Sequence, residues 1–507
     1  MFREDVLVAI PEQEFDTPPD EVLSDGGIPD DTKPTRPEPK IEPEPIIPPR
    51  QPRRVILILL LTVLCTMILL DRPLIRGDGL SYLVWIDTLA GDFDINLNNQ
   101  HDRFREINTY QIQWDYDTER WVNIFPFGIA YLQAPFYWLG AGAESLGILD
   151  ANPDYFNAMQ GVSQAKSVAL MLGANLMALI ACALAFLIGR RFCADWLAAV
   201  LAFLTFLATP IIYYSTVMPI NSHNPGAFTL AVFVYALVRC VGVSPERDPE
   251  RSTFRGWWIL LGVFAGLSVL VRWQLAAAVA PAWILLIYTR HWRGLSLATL
   301  AAGLTVLPLP FIWNAYFGAP VLVPFDAVND NEFIQQGNHA LDVLGMLIAH
   351  SPIVLLSFAG LPFLWRINRA WALLFGAMIV SQLVVNGAAL DWSAGETYGM
   401  RRMSELYVVY AVLACCAVGG LLRWIHAREW WRYGRVAVYA GLTMLFAYSL
   451  VYLTSFIVYS WHDPQWMFDN SPQAMIAYFA NLPHRWQILW EIYRSHLGPL
   501  VWGMPGA

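Results

Sequence analysis

Eleven apolar runs, each about as long as a helix needs to cross a bilayer, constrain this chain more than any other feature. They lie near 55–70, 165–189, 195–211, 225–241, 257–272, 274–289, 296–313, 342–365, 370–389, 405–422 and 435–459. A hydrocarbon layer about 30 Å thick offers no water to backbone N–H and C=O groups, so each run must satisfy them internally, as a helix. The expectation is an all-α polytopic membrane protein with about eleven transmembrane helices. Composition agrees, since 56% of the 507 residues are hydrophobic and 14% charged, against roughly a quarter charged in a soluble domain. The 22 Trp suit many membrane–water interfaces, and a net charge of −9 gives no support for nucleic-acid binding. The six cysteines lie in or beside apolar runs without metal-ligand spacing, and read as small core residues.

A twelfth apolar stretch, 122–142, is interrupted by Pro126, Gly128, Gln133 and Pro135. Its topology is decided by charge. Arg50, Arg53 and Arg54 put the amino terminus in the cytoplasm, because Lys and Arg favour that side. If 122–142 lies in the interface or re-enters rather than crossing, then Arg190–Arg191, "PERDPERSTFR", "RHWR", "RINR" and "RWIHAREWWRYGR" all face inward. If it crosses, all of them face outward. The pattern therefore predicts about eleven crossings plus one interfacial or re-entrant helical segment, with the carboxyl terminus outside the cell. Residues 1–54 are acidic, Pro-rich and almost without apolar periodicity, and read as a disordered cytoplasmic tail. Residues 55–459 form the membrane domain, with a first outer loop over 71–121, and 460–507 form an extracytoplasmic segment. The protein is expected in the inner or plasma membrane.

That topology sends every long or acidic loop outward and leaves the short, basic ones inside. In the first outer loop, "RGDGLSYLVW" sets Asp78 between two glycines, followed by Tyr82, Trp85, Ile86 and Leu89 at spacings of three or four. Such a stripe predicts a short helix along the interface, and Asp78 beside it can take a proton from an acceptor hydroxyl; the ordinary alternative is a helix-capping carboxylate. "DFD" at 92–94 has two carboxylates spaced to hold Mg²⁺ or Mn²⁺, with a capped turn as the alternative. Arg401–Arg402, outside the membrane at the mouth of a span, run against the positive-inside tendency. They can clamp a lipid phosphate, or simply pair with Glu396 or Glu405. Arg272 interrupts an apolar region, where a charge needs a partner or a cavity, and so contacts phosphate or a carboxylate. His223 in "NSHNPG" and Asp326 and Asp330 in "PFDAVNDNEF" are candidates for sugar or acceptor contacts.

"GDGLSYL", "AGDFDINLNN", "WVNIFPFGIAYLQAPFYWLG", "STVMPINSHNPGAF", "GLSVLVRWQ" and "ETYGMRRMSELY" resemble, in that order, landmarks of GT-C class integral-membrane glycosyltransferases. The branch most similar is that of bacterial relatives of protein mannosyltransferases and lipid A aminoarabinose transferases. The resemblance implies a GT-C-like fold that moves a sugar from a polyprenyl-phosphate donor to an extracytoplasmic glycan, lipid or protein acceptor, with inversion. It also implies that Asp78 serves as general base or orients the acceptor. Arg401, Arg402 and Arg272 then bind the donor phosphate, while Asp92, Asp94, His223, Asp326 and Glu396 serve sugar or acceptor. Better-known members carry paired acids at the first-loop site, whereas here Gly77 and Gly79 flank Asp78. A second carboxylate must come from Asp92 or Asp94, from Glu106, or from a later loop. No cofactor is required, and a divalent metal enters only if Asp92 and Asp94 hold one. The rival readings are a transporter or lipid-linked-sugar flippase, and a membrane scaffold. Transporters place polar groups near the midplane, often in repeats, and neither feature is seen here.

Overall fold

The computed structural model describes residues 51–70, 75, 77–104, 112–116, 118–148, 162–243, 254–318, 337–393, 398–428, 430–462 and 471–502. Residues 1–50, most of the expected disordered tail, lie outside the described residues, as do Glu106, Asp326, Asp330 and Glu396.

Each of the eleven apolar runs coincides with helix. The helices are α1 (Pro52–Leu70), α2 (Asp78–Ile86), α3 (Asn98–Phe104), α4 (Gly128–Ser145), α5 (Gln164–Gly189), α6 (Asp195–Ala208) and α7 (Ile211–Thr216). They continue with α8 (His223–Val241), α9 (Gly256–Val271), α10 (Leu275–Tyr288), α11 (Trp292–Val306) and α12 (Pro308–Phe317). The last set is α13 (Ala340–His350), α14 (Val354–Ile367), α15 (Arg369–Gly387), α16 (Tyr407–His426), α17 (Trp431–His462), α18 (Pro472–Asn481) and α19 (Arg485–Trp502). Among the described residues, seven helices are long and apolar enough to cross a membrane. The count becomes eight if α13 and α14, bent by 109° at a break carrying Pro352, make one span. The helices α6, α9 and α10 are apolar but only 14–16 residues long. At 1.5 Å per residue they reach about 21–24 Å, so length alone does not bring the count to eleven.

Chain direction sorts the helix ends into two groups. Arg423 Nη1 donates to Phe192 O (2.8 Å), Asn368 Nδ2 to Val243 O (2.8 Å) and Trp371 Nε1 to Gly242 O (2.8 Å). The first bond joins the turn after Arg190–Arg191 to the end of α16, and the other two join residues 242–243 to 368–371. One helix length away, α8 begins, α9 ends, α10 begins and α15 ends around Asp78.

At that second end the segment that follows α1 departs from the expected amphipathic stripe. Every residue from Gly79 to Ile86 is buried, not one stripe of them, because α2 packs against protein on all sides. The chain continues into a π-helical turn, Asp87–Asp92. An unexpected antiparallel hairpin, β1 (Ile112–Asp115) with β2 (Arg120–Asn123), pairs Trp114 with Trp121. Beyond it, Asn123 Nδ2 donates to Ser81 O (2.8 Å), and Trp85 Nε1 to Phe125 O (2.8 Å). The Trp85 ring stacks on Tyr316 of α12 (5.4 Å, 27°). Leu80, Leu83, Trp85, Val122, Phe127, Ile129 and Tyr316 form a second core, separate from that of the bundle. The stretch expected to be broken is in fact strand β2, a short extended link and the unbroken helix α4, which accommodates Pro135. Of the cysteines, Cys182, Cys240, Cys415 and Cys416 are core residues as expected, whereas Cys65 is exposed on α1, which buries only three residues.

Candidate functional site: a cavity between two carboxylate–arginine pairs

Two glycines bring Asp78 to the bundle. Gly77 has φ +52°, a left-handed conformation that other residues adopt at a cost, and it opens α2. A Cβ on Gly79 would stand 2.5 Å from the Ile220 carbonyl oxygen, so only glycine lets α2 lie against that turn. Asp78 does not cap its helix; its Oδ2 accepts from Arg401 Nη1 at 2.7 Å, across 323 residues of sequence.

Arg401 and Arg402 stand at the start of a 3₁₀ turn, Arg401–Leu406, that leads into α16. Arg402 Nη2 hydrogen-bonds Asp391 Oδ2, and Asp391 also lies within electrostatic reach of Arg401. The two pairs therefore sit side by side. Between them opens a cavity of about 270 Å³. Its lining mixes polar side chains (Asp78, Asp391, Arg272, Arg401, Arg402, Asn386, Gln274 and Tyr82) with apolar ones (Ile124, Phe125, Pro126, Trp273, Val385 and Ala389).

Behind this wall lies a buried ionic cluster. Glu405 Oε1 accepts from Arg272 Nε (2.9 Å) and meets His223 Nδ1 (2.8 Å); the Glu405 and His223 side chains are 1% and 0% exposed. Arg272 Nη1 donates to Ser222 Oγ (2.7 Å), which donates onward to Tyr82 OH (2.8 Å). Burial, partly offset by the nearby Arg272, pushes the Tyr82 phenol up to about 12, so this ring enters the cavity as a neutral hydroxyl. The chain Glu405–Arg272–Ser222–Tyr82 thus joins four elements and fixes the cavity's inner surface.

Four of the residues singled out from sequence, Asp78, Arg272, Arg401 and Arg402, line one cavity. Others stand elsewhere. His223 is fully enclosed against Glu405 and the Tyr214 ring (4.1 Å), where no sugar reaches it. Asp92 and Asp94 lie off the cavity: Asp92 Oδ2 accepts from Asn99 Nδ2 (2.6 Å) and from Gln100 Nε2, and Asp94 Oδ1 accepts from Asn96 N (3.0 Å). That is the capped turn, with these oxygens committed to side-chain amides and backbone. No cluster of three or more His, Cys, Asp or Glu suited to a metal occurs among the described residues. Arg272 is held by Glu405 in the wall, and Glu405 faces Arg272 rather than the arginine pair. Sequence reasoning missed Asp391, although this carboxylate stands eleven residues before Arg402 in the same polar stretch. It also missed Trp273 and Asn386, which carry no signal beyond flanking Arg272 or ending an apolar run.

Residues 156–313, less than a third of the chain, match the family model described as dolichyl-phosphate-mannose-protein mannosyltransferase, a GT-C family. The resemblance to GT-C glycosyltransferases is therefore met over α5–α12, a stretch that holds Ser222, His223, Arg272 and Trp273. No curated protein matches the chain. Among solved structures, it is similar to ArnT from Cupriavidus metallidurans bound to undecaprenyl phosphate, at 14% identity and a TM-score of 0.49, over 88% of this chain and 77% of that one. It is also similar to the apo oligosaccharyltransferase of Archaeoglobus fulgidus, at 14% identity and a TM-score of 0.47, over 87% of this chain and 59% of that one. The same figures for coverage and TM-score, at 15% identity, hold for AglB from Archaeoglobus fulgidus in complex with an inhibitory peptide and a dolichol-phosphate.

Proposed function

We propose that this protein is a membrane glycosyltransferase that moves a sugar from a polyprenyl-phosphate donor to an extracytoplasmic acceptor with inversion at the sugar carbon. One observation carries the reading: Asp78 and two arginines, distant from it in sequence, converge on a single cavity that apolar side chains also line. The acceptor hydroxyl attacks the anomeric carbon as the bond to the lipid phosphate breaks. Asp78 takes the acceptor's proton, and the charge left on the departing phosphate falls on Arg401 and Arg402. Both arginines are already balanced by carboxylates, Arg401 by Asp78 and Arg402 by Asp391. Donor phosphate must therefore compete with Asp78 for Arg401, and its arrival frees the Asp78 oxygen that Arg401 holds. Donor binding and the unmasking of the base are thereby coupled. The apolar lining residues Phe125, Pro126 and Val385 suit the first isoprene unit next to the phosphate.

The arginines test this directly. Lys keeps the charge but loses the planar fork that grips two phosphate oxygens, so Arg402→Lys should weaken polyprenyl phosphate binding by about tenfold. Titration of the protein in nanodiscs measures this. Unchanged affinity in both Arg401→Lys and Arg402→Lys leaves the pairs as plain structural bridges.

The sidedness is tested separately. Tyr116 in the hairpin and Phe254 at the opposite end are 85% and 68% exposed. In a background without native cysteines, Tyr116→Cys should react with an impermeant thiol reagent added outside the cell, and Phe254→Cys only once the membrane is opened. The reverse pattern puts the cavity in the cytoplasm and ends the proposal of an extracytoplasmic acceptor.

A further inference from the structure

Tyr398 precedes the arginine pair by three residues and does not line the cavity. Its buried ring belongs to an aromatic stack drawn from three parts of the chain. It lies near-parallel to Tyr213 of α7 (5.3 Å, 26°) and to Tyr452 of α17 (4.9 Å, 21°). Phe456, one turn further along α17, meets both Tyr398 (5.1 Å, 70°) and Tyr213 (5.4 Å, 89°) edge-on. Tyr448 continues the series beside Tyr452 (6.4 Å, 23°), and its hydroxyl donates to Ala349 O (2.6 Å) near the end of α13.

The backbone between this stack and the arginines is short and held. Gly399 (φ +62°) turns the chain, Met400 is buried, and Arg401 N donates to Gly399 O (3.0 Å). Met403 N then donates to Met400 O (3.0 Å), and Ser404 Oγ to Arg401 O (2.6 Å). The two arginines therefore project from a segment anchored by the rings on one side and by α16 on the other.

We infer that Tyr398 is a positioning residue: its place in the stack fixes the backbone from which Arg401 and Arg402 reach the donor phosphate. Helices α7 and α17 thereby act on donor binding through a ring that does not line the cavity. This rests on the reading that the two arginines seat that phosphate. Both guanidinium groups have to exchange a carboxylate for phosphate, and they keep their register only if the backbone beneath them stays put. A flat ring among other rings suits that task, since near-parallel and edge-on contacts add a preferred geometry to burial. A displacement of about 1 Å, caused far from the reacting atoms, can cost on the order of a hundredfold in rate. As plain core packing, the same ring would affect stability alone.

The test measures undecaprenyl phosphate binding to the full chain in nanodiscs, beside thermal denaturation. Tyr398→Phe keeps the ring and should bind within about twofold of the unaltered protein. Tyr398→Leu removes every ring contact and should weaken binding by about tenfold. Leu442→Ala is the control, because Leu442 is buried on α17 and ten residues, about 15 Å of helix, from Tyr452. It should lower the melting temperature and leave the affinity unchanged. The coupling to the arginines decides between the two roles. Arg402→Lys already loosens the grip on phosphate, so Tyr398→Leu added to it should cost much less than a further tenfold, as when one residue acts through another. Losses that multiply in full would overturn the inference, as would parent-like affinity in Tyr398→Leu or an equal loss of affinity in Leu442→Ala. Should Tyr398→Leu fail to fold, Tyr452→Leu strips one ring from the stack and should show the same coupling to Arg402→Lys. If Arg401→Gln and Arg402→Gln bind the lipid as the parent does, the phosphate seat itself fails. If they lose it while Tyr398→Leu does not, the positioning role alone falls.

Discussion

Asp78→Asn is expected to lower sugar transfer by roughly 10²–10⁴-fold, the range for a positioned proton acceptor. Asn is nearly the same shape and still accepts one hydrogen bond from Arg401, but it cannot take the acceptor's proton. The loss should fall on kcat, with the donor's KM unchanged or lower, since the variant no longer sets a carboxylate against the donor phosphate on Arg401. The alternative of a helix-capping carboxylate makes the opposite forecast, because Asn caps as well as Asp. The contact with Arg401 already disfavours it. The variant must be shown to fold, as Arg401 is only 13% exposed and loses its counter-charge. A melting transition near that of the parent, with transfer lost, isolates the chemistry. Parent-like turnover moves the base elsewhere, and Asp391 is then the nearest remaining carboxylate on the cavity wall.

The second large effect is on stability. Glu405→Gln leaves Arg272, 10% exposed, without its buried counter-charge, and removing one partner of such a pair costs about 3–5 kcal/mol. A neutral amide still accepts one hydrogen bond but cannot balance a guanidinium. The double change Glu405→Leu with Arg272→Met removes both charges for side chains of similar bulk, and should recover much of the lost stability. It should not recover transfer, because Arg272 organises Ser222, and through it Tyr82, on the cavity wall. Thermal denaturation of the three variants beside activity measurements checks both halves. A Glu405→Gln protein as stable as the parent would mean that the cluster's charges are balanced in some other way.

These forecasts draw unevenly on what the sequence made legible. The apolar runs were readable because lipid leaves the backbone a single economical choice, and each run proved helical. Their lengths were less informative: α6, α9 and α10 fall short of a full hydrocarbon thickness, and no local rule says how neighbouring packing compensates. The hairpin 112–123 escaped notice because a few residues of alternating polarity are faint beside so many apolar runs. Helix α2 showed a stripe of Tyr82, Trp85 and Ile86, yet burial all round depends on Tyr316 and Val122, which the sequence places far away. Asp78, Arg272, Arg401 and Arg402 were found because charges beside apolar runs are expensive and must be explained. Their pairing was not readable. The sequence offered Glu405 as a partner for the arginines, whereas folding assigns Glu405 to Arg272 and brings Asp78 to Arg401 and Asp391 to Arg402, while Glu396, the other partner offered, lies outside the described residues. His223 misled for the converse reason: a polar residue opening a span looks exposed until the 3₁₀ turn covers it. Asp92 and Asp94 matched a metal spacing that two residues of a capped turn also satisfy.

The central claim is that the cavity between the Asp78–Arg401 and Asp391–Arg402 pairs seats the phosphate of a polyprenyl-phosphate donor. Determining the structure of the protein in a lipid nanodisc with undecaprenyl phosphate tests it most directly. The account predicts phosphate density within hydrogen-bond distance, about 3 Å, of the Arg401 and Arg402 guanidinium groups. It also predicts that at least one of the two carboxylates has moved off its arginine, and that the lipid chain leaves along Phe125, Pro126 and Val385. Phosphate bound elsewhere, with both ion pairs intact and the cavity empty, would contradict it.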